Sequence, residues 1–304
     1  MEHGLQSGIL LVDKPTDWTS HDVVQYVRKK TGIAKVGHTG TLDPIATGLL
    51  ILCIGKATRL SEFFMSMDKT YEGRMRLGLI TDTHDILGKV LEERQVVDVN
   101  KSTLYQLTNQ FIGEIEQVPP MVSALKVGGQ RLYELARKGI SVDRRPRKVR
   151  VYEFSILGLE LPYIKVRISC GKGTYVRTLI HDFGLKLGCG AVMAELRRIK
   201  LGKFSVEDAI PVKEITDFDS VSERIIPIDS ALSMPKVSVY PKGEEQFNQG
   251  RKVFPKDIKE FEGGTAEYVQ VLNEMGKFLG IGTIKFTAIG PFVTPKKVLA
   301  DTGL

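Results

Sequence analysis

The sequence has little cysteine and no long apolar segment. Its three cysteines, Cys53, Cys170 and Cys189, are far apart and show no CxxC spacing, which excludes a disulfide framework and a cysteine-based metal site. Isolated thiols of this kind are typical of proteins in a reducing cytoplasm, and this is the location we expect. No apolar run approaches the roughly 18 residues of a membrane-spanning helix, and residues 1–8 lack the pattern of a secretion signal. Internal repeats and low-complexity stretches are also absent, which excludes repeat architectures.

The charge balance is basic. The 43 Lys and Arg residues exceed the 36 Asp and Glu residues by seven, and five of these seven excess charges lie in residues 1–234. A basic excess favours a polyanionic partner, most often a nucleic acid. The 304 residues leave room for about two domains of ordinary size.

Helical and strand patterns both occur along the chain. Ser20 is a plausible N-cap for a helix over residues 21–30, which Gly32 ends. A composition shift near residues 233–235 precedes short strands with frequent turns, and this pattern is typical of a small β-barrel. The other predicted strands cover residues 8–12, 49–54, 70–79 and 163–170, and the other predicted helices cover residues 103–111 and 176–187.

The segment around Asp43 carries the most informative pattern. Asp43 precedes Pro44 in a glycine-rich loop that leads into the apolar run 49–54. Its carboxylate could cap a turn, or it could act as a nucleophile or general base beside a cation. Arg177, in the first turn of the predicted helix 176–187, is a candidate for that cation. Tyr71 and Tyr175 could stack on a planar base or pack in the core.

Three His-Asp dipeptides suggest a second class of function. Metal-dependent phosphohydrolases use such pairs, and the pairs here are His21-Asp22, His84-Asp85 and His181-Asp182. Those enzymes have an all-helical scaffold, whereas these pairs fall among predicted strands, and no HExxH motif accompanies them. We interpret them as unrelated surface or turn pairs and expect no metal site.

A cationic run occupies residues 144–150, where five of seven residues are Arg or Lys. It is either a solvated face or an arm that meets phosphates.

The segment Gly37-His38-Thr39-Gly40-Thr41-Leu42-Asp43-Pro44-Ile45-Ala46-Thr47-Gly48 closely resembles the catalytic motif of the TruB family of bacterial tRNA pseudouridine-55 synthases. Asp17 stands where that family commonly has Gly, and His84 is atypical after Thr81-Asp82-Thr83. The remaining matches, in the family's order, are Lys14-Pro15, Thr19-Ser20, Lys69-Thr70-Tyr71, Thr81-Asp82-Thr83, Pro119-Pro120, Ser123-Ala124-Leu125-Lys126, Arg131-Leu132-Tyr133, Gly173-Thr174-Tyr175-Val176-Arg177, Leu196-Arg197-Arg198, Gly202 and Phe204.

The resemblance implies a fold and a domain division. It implies an α+β fold, with a pseudouridine synthase domain over residues 1–234 that has a mixed, mainly antiparallel sheet, flanking helices and a thumb insertion at about 118–150. Residues 235–304 resemble an RNA-binding PUA barrel through Phe247-Asn248-Gln249-Gly250 and Gly276-Lys277-Phe278-Leu279-Gly280-Ile281-Gly282.

The resemblance also implies an activity and a catalytic set. The implied reaction isomerises the uridine at position 55 in the T loop of tRNA, after the base has flipped out of the stack. Asp43 maps to the catalytic aspartate and would attack uracil C6 or ribose C1′. Arg177 would hold the pKa of Asp43 low, and Tyr71 would stack on the base and assist removal of the C5 proton.

Other residues are implied to bind the RNA. His38 would fill the space that the base vacates, while Tyr175 and Leu196 would line the pocket. The cations of the thumb would neutralise phosphates, and we expect this arm to be mobile without RNA. They are Arg144, Arg145, Arg147 and Lys148.

The implied enzyme needs no cofactor and no metal, because the reaction involves no redox change. Its expected partner is the T stem-loop of tRNA, with no membrane and no obligate protein partner, and we expect a monomer. A non-catalytic RNA-binding or tRNA-folding protein on the same scaffold is the alternative. An intact set of Asp43, Tyr71 and Arg177 favours the enzyme, because a simple binder has no need of it.

Overall fold

A computed structural model describes residues 7–96, 99–123, 125–140, 142–263 and 266–299. Residues 1–6 and Ala124, which belongs to one of the family-like motifs, lie outside the described residues. The strands are β1 Gly8–Lys14, β2 Val36–His38, β3 Ala46–Ile54, β4 Lys69–Leu77, β5 Leu79–Thr81, β6 Val90–Glu93, β7 Gly113–Gln117, β8 Lys126–Val127, β9 Gln130–Arg131, β10 Arg147–Glu160, β11 Tyr163–Cys170, β12 Ala191–Leu201, β13 Phe204–Ser205, β14 Ile210–Pro211, β15 Ile226–Pro227, β16 Lys236–Val239, β17 Ile258–Phe261, β18 Tyr268–Asn273, β19 Phe278–Thr287 and β20 Gly290–Val298. The α-helices are α1 Ser20–Thr31, α2 Ser61–Met65, α3 Lys101–Asn109, α4 Leu132–Arg137, α5 Val176–Leu187, α6 Asp219–Ser222, α7 Ile228–Ala231 and α8 Pro241–Asn248.

The larger sheet carries the predicted catalytic segments. Its main path has the strand order β14-β1-β3-β12-β4-β11-β10-β7, and three short strands pair beside this path to give eleven strands. The pairs β1–β14 and β3–β12 are parallel and the others on the main path are antiparallel. The prediction of a mixed, mainly antiparallel sheet with flanking helices is therefore confirmed.

Strand β3 is buried on both faces, which explains its uninterrupted apolar run. Leu50 and Leu52 pack into a core with α1 and α5, whereas Leu49 and Ile51 pack into a second core on the opposite face. The loop that carries Asp43 leads directly into this strand, so the end of the loop is fixed by a buried element.

Helix α1 begins one residue earlier than predicted. Thr19, not Ser20, is the N-cap, and its side chain forms a capping box with Asp22. The Ser20 hydroxyl is used elsewhere, because it accepts a hydrogen bond from the Leu42 amide at 2.8 Å. Gly32 ends the helix in the left-handed conformation, as predicted.

The basic run differs from the expectation of a mobile arm. Residues 147–150 form the start of β10 and pair with β7, with Lys148 opposite Glu116 and Arg150 opposite Glu114. Val149 and Val151 are buried at alternate positions, so the segment has the period of a strand. The acidic strand β7 also explains the pairing, because Lys148 Nζ lies 2.8 Å from Glu114 Oε1. Within the predicted insertion, the described part outside this sheet contains the hairpin β8–β9 and helix α4.

A second sheet begins at Lys236 and has the strand order β17-β16-β18-β19-β20. The short strands expected in this part of the chain are present and include β18 and β19. Ile281 and Leu299 pack in the same core as Phe63 and Phe64 of the α2 segment, and Lys297 Nζ lies 2.9 Å from Glu62 Oε1. The two sheets therefore share an apolar contact on the side of the larger sheet that faces away from α5.

Candidate active site

Asp43 and Arg177 form an ion pair, although 134 residues separate them in sequence. Arg177 Nε lies 2.8 Å from Asp43 Oδ2, and Nη2 donates a hydrogen bond to Oδ1 at 3.3 Å. Arg177 is almost fully buried, with 4% of its side chain exposed, whereas 37% of the Asp43 side chain is exposed. This fork-like contact fixes the carboxylate and leaves one side of it accessible.

The other donors of Arg177 bind groups that hold the guanidinium in place. Its Nη1 donates to the Thr83 carbonyl at 2.9 Å, and its Nη2 donates to the Val122 carbonyl at 2.9 Å. Buried Asp85 lies 3.5 Å from Nη1. The loop between β5 and β6 and the segment after β7 thus both position the cation that faces Asp43.

Asp43 and Arg177 lie in the wall of a cavity of about 280 Å³. Tyr71, Tyr175 and Leu196, which the sequence also predicted as site residues, line the same cavity. The complete lining is Gly40, Thr41, Leu42, Asp43, Ala46, Met65, Lys69, Tyr71, Ser123, Gly171, Gly173, Thr174, Tyr175, Val176, Arg177, Leu196 and Arg198. A carboxylate, an aromatic ring and an apolar wall at one cavity can hold a planar polar ring against a nucleophile.

Burial raises the pKa of Asp43 above its ordinary value, and nearby Asp85 raises it further. Arg177 and Lys14 oppose this rise because their positive charges favour the carboxylate form. The expectation that Arg177 holds this pKa low therefore describes only one of two opposing effects. The ionised, attacking form of Asp43 depends on its cationic neighbours.

Burial also raises the pKa of Tyr71, against a lowering effect of Arg198. The phenol is therefore protonated near neutral pH, where it can stack and donate a hydrogen bond but is a poor proton acceptor. Tyr71 lies on the core-facing side of β4 together with Gly73, Met75 and Leu77, as the alternation predicted.

A buried lysine links the loop after β1 to the loop that carries Asp43. Lys14 Nζ donates to the carbonyls of Pro15 at 2.8 Å, Trp18 at 2.6 Å and Pro44 at 3.3 Å. Burial lowers the pKa of Lys14 to about 8. All three ammonium protons thus have acceptors, and one acceptor is the residue after Asp43.

Replacing Lys14 by Met is expected to destabilise the protein by about 2 kcal/mol, because three partly buried carbonyl groups lose a charged donor. The rate of the reaction should fall as well, since Pro44 no longer fixes the Asp43 loop. Urea unfolding and a turnover assay would measure the two effects. Lys35→Met, which removes an exposed lysine, should change neither, and an equally stable, active Lys14→Met protein would contradict this role.

Two non-glycine residues among those described have a left-handed backbone, and both are the departures from the family pattern. Asp17 and His84 each have φ 64°. The commonly found glycine at position 17 is explained by this conformation, which Asp tolerates better than most residues.

Glycine is required at position 48 for a different reason. A Cβ atom there would lie 2.3 Å from the Arg198 carbonyl oxygen, so Gly48 allows β12 to approach β3 closely. In this parallel pairing Leu196 lies beside Ala46, and both residues line the cavity.

His38 lies on β2 and is absent from the cavity lining among the described residues. Burial lowers its pKa, and the positive charges of Arg198 and Arg131 act in the same direction. Its ring is therefore neutral near neutral pH. The cationic residues also lie outside the lining: Arg144 donates to the Pro119 carbonyl at 3.0 Å, and Lys148 pairs with Glu114.

The interpretation of the three His-Asp pairs as unrelated surface or turn pairs is wrong for two of them. The rings of His84 and His181 stack face to face, with centroids 3.8 Å apart. Asp85 contacts Arg177 instead of solvent. In the described ranges, no cluster of three or more His, Cys, Asp or Glu side chains is arranged to hold a metal ion.

Lys14, Lys69 and Arg198 belong to family-like motifs, but the sequence alone indicates no role for them, and it suggests only a surface pair for Asp85. Their functions depend on contacts across the fold, which a single sequence does not reveal. The one signal in the sequence was the position of all four in or beside family-like motifs. No helix in the described part of the chain is long and apolar enough to cross a membrane.

Comparisons with known proteins point to one family. The profile described as "TruB family pseudouridylate synthase (N terminal domain)" matches residues 28–176, and that described as "tRNA pseudouridylate synthase B C-terminal domain" matches residues 177–233. The tRNA pseudouridine synthase B of Clostridium tetani is 43% identical over 91% of this chain and 95% of its own length. That of Dechloromonas aromatica is 42% identical over 97% of this chain and 96% of its own length.

Solved structures agree with this result. A structure titled "Crystal Structure of a Cbf5-Nop10-Gar1 Complex" contains a chain that is similar with a TM-score of 0.75 and 28% identity, over 96% of this chain and 85% of that one. A second, titled "Structure of H/ACA RNP bound to a substrate RNA containing 2'-deoxyuridine", gives a TM-score of 0.73 and 26% identity over the same shares. The similarity includes both sheets, because it covers nearly the whole chain.

Proposed function

Because this chain belongs to the TruB family of pseudouridylate synthases and is an RNA-modifying isomerase that acts on tRNA, we propose that its target is the uridine at position 55 in the T loop. The observation that carries the proposal is the Asp43–Arg177 pair in the wall of a cavity that also presents Tyr71. The segment around Asp43 is the one that most closely resembles the family's catalytic motif.

The target uridine flips out of the loop so that its base enters the cavity. Tyr71 stacks on the base, and Leu196 and Tyr175 bound it on other sides. Gln117 fixes the backbone of Tyr175 by accepting from its amide at 2.8 Å and donating to its carbonyl at 3.1 Å. Base stacking of this kind contributes about 1–3 kcal/mol, which offsets the unstacking of the RNA loop.

Asp43 then attacks either uracil C6 or ribose C1′. In both routes the bond from C1′ to N1 breaks, the base turns, and C5 forms the new bond to C1′. The proton leaves C5 and N1 gains one, so the product is an isomer of the substrate. No electron acceptor or hydrolytic water is consumed, and the proposal therefore includes no cofactor and no metal.

His38 fills the space that the flipped base leaves in the RNA loop. Its flat aromatic ring can stack on the bases beside that space. The thumb supplies phosphate contacts through its cations, which fix the position of the RNA without reading its sequence. Residues 235–304 form a PUA domain that adds RNA-binding surface. We propose a cytoplasmic monomer that needs no protein partner.

Neutralising Arg144, Arg145, Arg147 and Lys148 together should weaken RNA binding and reduce its salt dependence. The slope of log K against log salt should fall by about one for each phosphate that the variant no longer neutralises. Filter binding of a T-arm RNA at several salt concentrations would measure this slope. A variant in which exposed Lys213 and Arg224 are neutralised is the control for reduced net charge, and an unchanged slope in the fourfold variant would mean that the run is only a solvated face.

Mapping pseudouridine in a T-arm transcript after incubation with the protein tests the proposal as a whole. The expected result is modification of one uridine, at position 55, by the wild-type protein. A non-catalytic RNA-binding protein on this scaffold would bind the transcript and leave every uridine unchanged. Modification at another position would keep the activity and contradict the T-loop assignment.

A further inference from the structure

Besides the Asp43–Arg177 pair, the cavity has a second charged region. Lys69 and Arg198 both line the cavity, and Arg198 is 1% exposed. In the part of the chain that the structure describes, neither side chain forms an ion pair with a carboxylate. Arg198 Nε donates to the Leu49 carbonyl at 2.7 Å, and Lys69 Nζ donates to the Met65 carbonyl at 2.7 Å.

The cavity therefore carries excess positive charge. The carboxylate of Asp43 is already matched by Arg177, which also contacts Asp85. Lys69 and Arg198 remain as two cations whose described partners are neutral groups. A cation withdrawn from water without an anion is unfavourable, so this end of the cavity is complementary to negative charge in a bound ligand.

The register of β4 indicates which part of the ligand meets these cations. Lys69 and Tyr71 are two residues apart on one strand and so project from the same face, about 6.5 Å apart along it. A base that stacks on Tyr71 with its sugar bond at Asp43 has its far edge, with the ring carbonyl oxygens, free to meet Lys69 and Arg198, which line the same cavity. The phosphates are attached to the ribose, whose C1′ is held at Asp43 in this arrangement.

We propose that Lys69 and Arg198 stabilise the negative charge that develops on the uracil ring during the isomerisation. This inference rests on the proposed function. When the bond from C1′ to N1 breaks, its electron pair stays with the base and spreads over N1, O2 and O4. Attack at C6 likewise places charge on C5 and O4. The charge disappears when C5 bonds to C1′ and the C5 proton is lost while N1 gains one, so no other reactant is needed.

Preorganised cations that face developing charge act mainly on the chemical step. Binding of the uncharged ground-state base changes little, because the full charge exists only after bond cleavage begins. Such cations differ in effect from a phosphate contact, which would strengthen RNA binding and leave the reaction rate of the bound RNA unchanged.

The surroundings of Lys69 also make its charge sensitive to pH. Burial lowers the pKa of Lys69 to about 8, and the charges of Arg198 and Lys172 act in the same direction. Asp68 and the Cys170 thiol group act in the opposite direction. As pH rises through this region Lys69 loses its proton, and the stabilisation of negative charge by this residue is lost.

The test is the rate of pseudouridine formation in single turnover, with enzyme in excess over a T-arm RNA, measured against pH. We expect Lys69→Met to react about 10- to 100-fold more slowly at pH 7, with RNA affinity within twofold of wild type. Lys69→Gln, which keeps a hydrogen-bond donor without the charge, should show a similar loss. Lys69→Arg should recover most of the rate.

The pH profile separates a charge role from a structural one. The wild-type rate should fall as pH rises through about 8, and Lys69→Arg should move this fall to higher pH. A fall that stays in place in Lys69→Arg would belong to another group, such as Lys14, whose pKa is also about 8, and the Lys69→Met rate at pH 7 then decides whether the Lys69 charge acts in the reaction. Lys200→Met, which removes an exposed lysine from β12, is the matched control and should react like wild type.

Three further outcomes are decisive. A Lys69→Met rate within twofold of wild type overturns the proposal, and so does a loss confined to RNA affinity, which would identify a phosphate contact. Arg198→Gln, which keeps a hydrogen-bond donor without the charge, provides an independent variant and should also slow the reaction of bound RNA. Failure of the wild-type protein to form pseudouridine would instead contradict the proposed function itself.

Discussion

Replacing Asp43 by Asn is expected to abolish pseudouridine formation while the RNA still binds. The amide has nearly the same shape and can still accept from Arg177, but it lacks the charge that makes the carboxylate a nucleophile. Loss of a nucleophile commonly reduces the rate by about 10⁴-fold or more. The folded protein should remain intact, because Arg177 keeps Asp85 and the carbonyls of Thr83 and Val122 as partners.

Single-turnover assays on a T-arm transcript, with RNA affinity measured in parallel, would test this expectation. Asp43→Ala should be equally inactive, and affinity in both variants should stay within about threefold of wild type. Asp182→Asn is a matched control, because it neutralises another partly buried carboxylate, whose pKa burial raises to about 6. Full activity of Asp43→Asn would contradict the role of Asp43 as the nucleophile. The catalytic residue proposed from the family resemblance would then be wrong.

The catalytic loop shows how far a single sequence leads. The Asp-Pro pair and the apolar run behind it predict a fixed loop at the start of a buried strand, and β3 has this form. The partner of Asp43 is 134 residues away, so composition and spacing could name Arg177 only as one candidate cation. The family resemblance supplied the pairing, and the structure supplies its geometry.

Asp85 shows why other parts of the site were not predictable. Beside His84 it has the appearance of a turn residue, and the loop around it has no strong periodicity. Its contact with Arg177 exists because the chain pairs with β12 at this point, where the Met193 amide donates to the His84 carbonyl at 3.1 Å. Contacts of this kind arise from tertiary packing and leave no local signal in the sequence.

The cationic run illustrates the opposite error. Five charges in seven residues suggest a solvated arm. That interpretation gave no weight to Val149 and Val151, whose alternate spacing is typical of a strand. The acidic strand β7 lies opposite and makes the pairing favourable. The run can still meet phosphates, because Arg145 and Arg147 are exposed at the start of the strand.

Replacing Arg177 by Met is expected to inactivate the enzyme and also to destabilise it by about 3 kcal/mol. The substitution leaves Asp43 and Asp85 close together without their shared cation, and the carbonyls of Thr83 and Val122 lose a donor. Breaking a buried ion pair by removing one partner is more destabilising than removing an exposed pair, because the remaining charge stays buried. Urea unfolding would measure the stability change.

Arg177→Lys separates the charge from the fork-like geometry. The lysine keeps a positive charge near Asp43 but cannot contact both carboxylate oxygens and the two carbonyls at once. Because Arg177 lowers the pKa of Asp43 against the effect of burial, a weaker contact lets that pKa rise further. Only the ionised carboxylate attacks. As the pH is lowered, the reaction rate of Arg177→Lys should therefore begin to fall at a higher pH than the rate of the wild-type protein.

The measurement is the pH dependence of the single-turnover rate between about pH 5 and 8, with RNA saturating. Asp85→Asn provides the complementary case. It keeps Arg177 and removes a carboxylate that raises the pKa of Asp43, so its acidic limb should move to lower pH. Opposite shifts in the two variants would establish that the ionisation of Asp43 limits the reaction, since a general loss of folding would displace both limbs in the same direction or neither.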